Sequence, residues 1–134
     1  YKELLGVPGF GPTLTETFIQ QRAKINPFSE IEWASKHRAK ILTPFDHQYP
    51  TWLRPLAEIP PVIYYRGKLP ETQGVAVVGS RKPTNAGIQQ AFHFSRSIAK
   101  YHIPIVSGLA KGIDTQAHVG ALAANGITVA ILSQ

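Results

Sequence analysis

Two glycine-bearing loops hold the residues of this 134-residue chain best suited to chemistry: Val75-Ala76-Val77-Val78-Gly79-Ser80-Arg81-Lys82 and Ile105-Val106-Ser107-Gly108-Leu109-Ala110-Lys111-Gly112-Ile113-Asp114. Each couples glycine, a hydroxyl and a cation. Gly79 and Gly108 permit close backbone approach, so that amides beside a helix start can face an anion. Ser80 and Ser107 offer hydroxyl donors. Arg81 presents a planar fork suited to phosphate oxygens or to stacking on a base, Lys82 adds a cation, and Lys111 beside Gly112 supplies a mobile point charge from the facing loop. The chemistry predicted is phosphate binding; the plainer alternative is that the glycines only close strand-to-helix turns.

Spacing excludes the familiar phosphate binders. There is no G-x-x-x-x-G-K-[ST] loop and no G-x-G-x-x-G after the first strand, since Gly79 to Gly87 is too long and too basic a link. No acidic residue follows the second strand to hold a ribose, which disfavours NAD. A nucleophile elbow G-x-S-x-G is also absent. Asp114 and His118 stand four apart on one helix face and have the types of an acid/base pair or of two metal ligands. Neither H-E-x-x-H nor a third ligand at a telling distance accompanies them. The reading adopted is that both shape the site: Asp114 as a helix N-cap that bonds His118 or orients Lys111. No catalytic residue, metal or cofactor is expected.

The loops need a scaffold that brings them to one rim. A β-branched run at 75–78 leads to a helical pattern at 85–101, where Ile88, Ala91, Phe92, Ser95, Ile98 and Ala99 share a face. A second run at 103–106 leads to a helix at 114–125 with a small-residue face of Ala117, Gly120, Ala121 and Ala124, closed by Gly126 as its left-handed terminator. A third strand is expected at 128–132. This βαβαβ order, with right-handed crossovers, places both loops at the carboxyl ends of neighbouring parallel strands. The fold class is α/β: a Rossmann-like, doubly wound, mainly parallel sheet, incomplete at its C-terminus.

The first forty residues have a different texture. Thr13 with Glu16, and Ser29 with Glu32, show capping-box spacing before two helical stretches, the first at 12–25 with Leu14, Phe18 and Ile25 as its stripe. Short strands are expected at 40–43 and 61–65, with a proline-rich stretch between them. The predicted organisation is a helical appendage over 1–39 and a Rossmann-like domain over 40–134. Fourteen Lys and Arg against eight Asp and Glu give a net charge of +6, which favours a polyanionic partner. The absence of cysteine removes disulfides and thiolate chemistry and fits a cytoplasmic protein. No apolar run approaches a membrane span. The chain contains no methionine, so a piece of a longer protein is expected.

Taken together, Val77-Val78-Gly79-Ser80-Arg81-Lys82-Pro83 with Gly87, and Ser107-Gly108-Leu109-Ala110-Lys111-Gly112-Ile113-Asp114 with Ala117-His118 and Gly120-Ala121-Leu122, closely resemble the DNA-processing protein A (DprA/Smf) family. Asp46-x-x-Tyr49-Pro50-x-x-Leu53 and Pro60-Pro61-Val62-Ile63-Tyr64-Tyr65-Arg66-Gly67 are similar to that family's lead-in to its Rossmann-like domain. The resemblance covers about residues 40–132. It implies a non-enzymatic protein that binds single-stranded DNA and loads the RecA recombinase during natural transformation. Arg81 and Lys111 then fall where the family lines its basic pocket. The first forty residues resemble a sterile-alpha-motif-like domain, and Gly9-Phe10-Gly11 is similar to a helix-hairpin-helix turn whose amides contact phosphate. Relatives continue past this chain's end, and the resemblance puts their homodimer and RecA surfaces largely there. The competing expectation is a nucleotide-processing enzyme of the Lonely-guy phosphoribohydrolase type. Those enzymes carry a catalytic glutamate after a glycine-rich loop, whereas this chain has Lys111 and Asp114 at the candidate positions.

Overall fold

The computed structural model describes residues 1–132, which divide into two compact units. The first comprises α1 (Lys2–Leu5), α2 (Pro12–Arg22) and α3 (Pro27–Lys36), with most of a two-stranded ribbon of β1 (Lys40–Leu42) and β2 (Ile63–Tyr65). Proline opens both longer helices, where its fixed φ and missing N–H cost nothing. That placement shifts each helix start, and neither expected capping box forms. Thr13 and Ser29 fall inside the first turn; the caps are Gly11, without a side-chain bond, and Asn26, whose Oδ1 accepts from the Phe28 amide at 3.1 Å. The stripe of α2 is likewise different. Leu14, Phe18 and Ile25 are exposed, the buried position is Thr15, and Phe10 in the turn meets Phe18 edge-on at 5.9 Å.

Tyr64 on β2 donates its hydroxyl to Glu30 at 3.0 Å and sets its ring against Trp33. These contacts fasten the ribbon to α3. By their contacts the chain through Ile41 and the returning Ile63–Arg66 group with the helices.

The second unit holds Leu42–Val62 and the chain from Gly67 onward. Its proline-rich stretch is ordered by side chains bonding to backbone. The Asp46 carboxylate accepts from the Thr43 amide at 2.7 Å and from the Thr43 hydroxyl at 2.9 Å, Tyr49 donates to the Pro60 carbonyl at 2.8 Å, and Trp52 donates to the Pro70 carbonyl at 3.3 Å. The turn so fixed presents Phe45 almost wholly to solvent, at 95% exposure.

The rest of this unit is the βαβαβ element. Strands β3 (Val75–Ala76), β4 (Ile105–Ser107) and β5 (Thr128–Ala130) are parallel in the order β3-β4-β5, with Val75 opposite Ile105 and Ile105 opposite Thr128. Helix α4 (Asn85–Ala99) is capped by Thr84, whose hydroxyl oxygen accepts from the Gly87 amide at 3.2 Å. Helix α5 (Ile113–Leu122) follows β4. Ala99, Ile105, Ala117 and Ala121 form the buried core, flanked by Val77, Ile98 and Ala124. Gly120 lets α5 press directly on the α4 backbone at Phe92, so the two helices abut on one face of the sheet. The described residues thus contain a single winding of the Rossmann-like pattern. Gly126 is not the left-handed residue expected: Asn125 is, with φ of 53°, and an added Cβ at Gly126 would stand 2.6 Å from that of Ala99.

Candidate nucleic-acid interface at the strand-end loops

The parallel register brings the two glycine loops to one rim, and the contact between them is closer than two lips of a groove. Asp114 organises it. It is the second residue of α5, after the N-cap Gly112, and its side chain leaves its own helix to bridge both strand ends. Oδ1 accepts from the Gly79 amide at 3.2 Å and Oδ2 from the Gly108 amide at 3.1 Å. Two of the loop amides that could face a bound anion are occupied by this internal one.

The loops also interlock through backbone. Ser80 accepts at its carbonyl from the Ile113 amide at 3.2 Å, and Gly112 lies against that same carbonyl with φ of 90° and ψ of −124°. A side chain at Gly112 would need both a disfavoured backbone conformation and space already filled by Ser80, Arg81 and Pro83. Gly79 is close-packed in turn, since an added Cβ would stand 2.8 Å from Ile113 Cγ1.

Three expectations change as a result. Ser107 is 2% exposed and donates its hydroxyl to the Val77 carbonyl at 2.6 Å, so it adds no donor to the rim. Asp114 is no N-cap and bonds neither His118 nor Lys111. His118 reaches Thr128 instead, its Nδ1 lying 2.6 Å from Oγ1; the Thr128 hydroxyl donates to the Ile105 carbonyl at 3.0 Å, so Nδ1 carries the proton. The Asp114 carboxylate is committed to structural hydrogen bonds, and so is His118 at Nδ1, while its Nε2 is buried without a partner among the described residues. Among the described residues no three His, Asp or Glu side chains gather as metal ligands would.

What the rim leaves available is cationic. Arg81, Lys82 and Lys111 are exposed and form no ion pair among the described residues. The Ser80 hydroxyl oxygen accepts from the Lys82 amide at 3.0 Å, which fixes the turn and leaves its proton free to donate. Every acidic residue except Asp114 lies within the first 71 positions, and Asp114 is buried beneath the loops. An apolar groove of about 660 Å³ runs beside this rim between the end of β3 and α4, lined by Val77, Val78, Phe94 and Ile113 among others. It has no Lys or Arg in its lining.

Burial works to raise the Asp114 pKa, but the amide bonds from Gly79 and Gly108 outweigh it and hold the carboxyl below its ordinary value. Burial lowers the His118 pKa despite the opposing charge of Asp114. Both groups therefore bind protons more readily in the unfolded chain. The stability they contribute is present above their unfolded pKa values and lost as pH falls through the folded ones. Denaturation midpoints are expected to decline below about pH 6.5 as His118 begins to titrate and again below about pH 4 for Asp114. Asp114→Asn should remove the lower step and, by taking away the charge that opposes burial at His118, enlarge the upper one.

Sequence reasoning passed over Phe45, the most exposed of the large apolar side chains. The signal was the Thr43-Pro44-Phe45-Asp46 turn, in which Asp46 locks the backbone to Thr43. Among other aromatic residues, Tyr101 and Phe94 are exposed, Phe92 is half-buried and Tyr64 is tied to Glu30.

The family model described as DNA recombination-mediator protein A matches residues 40–134, which include both loops and all the strands and helices that position them. The chain belongs to this family. Protein Smf of Synechocystis sp. is 40% identical over 132 residues, covering 94% of this chain and 33% of the relative. DNA processing protein DprA of Bacillus subtilis is 35% identical over 89 residues, covering 64% of this chain and 30% of its own length. The X-ray structure of DNA processing protein A from Streptococcus pneumoniae superposes with a TM-score of 0.75 at 30% identity, over 95% of this chain and 43% of that one. The chain spans about a third of the length of the curated relatives it matches. No helix among the described residues is long and apolar enough to cross a membrane.

Proposed function

We propose that the rim formed by Gly79-Ser80-Arg81-Lys82 and Lys111-Gly112 grips the sugar-phosphate backbone of single-stranded DNA. We further propose that the whole protein, as a homodimer in the cytoplasm, uses this grip to load RecA during natural transformation without catalysing a reaction itself. The observation that carries the reading is the set of three exposed cations, Arg81, Lys82 and Lys111, held on two loops that Asp114 and Gly112 lock together. A rigid pair of loops presents its charges at fixed spacing, and a backbone of regularly spaced phosphates suits such an array better than one compact anion. Single-strand binders add aromatic surfaces on which bases stack. Exposed Phe45, Phe94 and Tyr101 are the candidates in this unit. The family's established connection with DNA processing supports the choice of polymer.

A titration of the isotope-labelled chain with a short single-stranded oligonucleotide, followed by amide resonances, tests this. The largest shifts are expected at Ser80, Arg81, Lys82 and Lys111. Shifts confined to the α1–α2 turn around Gly9-Phe10-Gly11, with the rim silent, would place the contact elsewhere.

A further inference from the structure

An open α/β sheet ordinarily offers its ligand's phosphate the backbone amides that follow its strands, at the start of the next helix. In this chain the two glycine amides that follow the strands, Gly79 and Gly108, already donate to a carboxylate. The close approach that glycine permits is used up as well. Ile113 covers Gly79, and Asp114 Oδ2 lies where a Cβ on Gly108 would come within 3.0 Å of it. Asp114 is 6% exposed, so the occupant is sealed in by the loops it joins. Ser107, beside Gly108 in sequence, is turned inward to Val77.

We propose that Asp114 is a specificity-determining residue: a built-in anion that fills the phosphate position of the Rossmann-type crevice and so excludes free phosphate, pyrophosphate and mononucleotides. An anion arriving there would have to displace the carboxylate or lie against its charge. A ligand that stays outside meets Arg81, Lys82 and Lys111 instead. That a nucleic-acid backbone is the ligand admitted rests on the function proposed above, whereas the exclusion of small phosphates rests on the carboxylate alone.

The test is calorimetric titration with sodium pyrophosphate of the parent chain and of Asp114→Ala, alongside titration with a single-stranded oligonucleotide. Freeing two amides and removing a negative charge is expected to raise pyrophosphate affinity at least about tenfold over the parent. A folded Asp114→Ala that takes up pyrophosphate no better than the parent overturns the proposal. If that variant does not fold, the parent decides: Gly79 and Gly108 amide resonances that stay in place at millimolar pyrophosphate support it, and resonances that move with binding overturn it. A gain of pyrophosphate binding in the variant, with no oligonucleotide binding by the parent, would sustain the exclusion and sink the DNA reading separately.

Discussion

Neutralising Arg81, Lys82 and Lys111 together, each to alanine, is expected to weaken binding of a single-stranded oligonucleotide about 500-fold near ~50 mM salt and about 30-fold near ~200 mM. The estimate assumes one phosphate per cation. Each single-strand phosphate contact releases about 0.7 of a counterion, so three contacts make affinity vary with roughly the second power of salt concentration. Arg81 can contribute more than a point charge, since its fork takes two phosphate oxygens at once. The three side chains are exposed and pair with nothing among the described residues, so their removal leaves the loops' own ties untouched. Surface changes of this kind stay within about 0.5 kcal/mol of the parent's stability. Lost affinity at unchanged stability, measured by fluorescence anisotropy and urea denaturation, is the expected pair of results.

Gly112→Ala should do the opposite, damaging the scaffold while keeping every charge. At φ of 90° and ψ of −124° alanine is strained by roughly 1 kcal/mol, and forcing an atom into a filled site adds about 1–3 kcal/mol. The atoms in the way are the Ser80 carbonyl, Pro83 Cδ at 2.9 Å and the Arg81 carbonyl carbon at 3.0 Å. Two of these are backbone and the third is a ring carbon, so none moves aside cheaply. A cost of about 2–4 kcal/mol in urea denaturation is expected, with the loops parting and DNA affinity falling through lost geometry. Gly79→Ala serves as the comparison: its new methyl group meets Cβ and both γ carbons of Ile113, which rotation does not clear, but Gly79 lacks the positive φ of Gly112, so it should cost less.

The parallel βαβαβ order was legible because it is written in local patterns: β-branched runs, a helical face from Ile88 to Ala99, and small residues at Ala117, Gly120 and Ala121. Helix and strand ends were less so. Pro12 and Pro27 displaced the caps assigned to Thr13 and Ser29, and Asn125 took the left-handed position assigned to Gly126, because a terminator is chosen by what surrounds it. At Gly126 the deciding neighbour is Ala99, 27 residues earlier in the chain. The rim cations were visible as residue types in strand-end loops. The way the loops close on each other was not, since the Asp114 bond to Gly79 spans 35 residues and Ser107 turns inward to a carbonyl 30 residues away. Spacing placed Asp114 next to His118 on a helix face, but their hydrogen-bonding partners lie on other elements. Tyr64 carries the same lesson: its bond to Glu30, 34 residues earlier, ties β2 to the helical unit.

The most direct test of the account is the slope of log affinity for single-stranded DNA against log salt, measured for the parent and for the chain lacking Arg81, Lys82 and Lys111. The slope is expected to flatten by about 2, roughly 0.7 for each cation removed. Equal slopes in the two proteins would contradict it, whatever their affinities, because they would show that the rim's charges contact no phosphate.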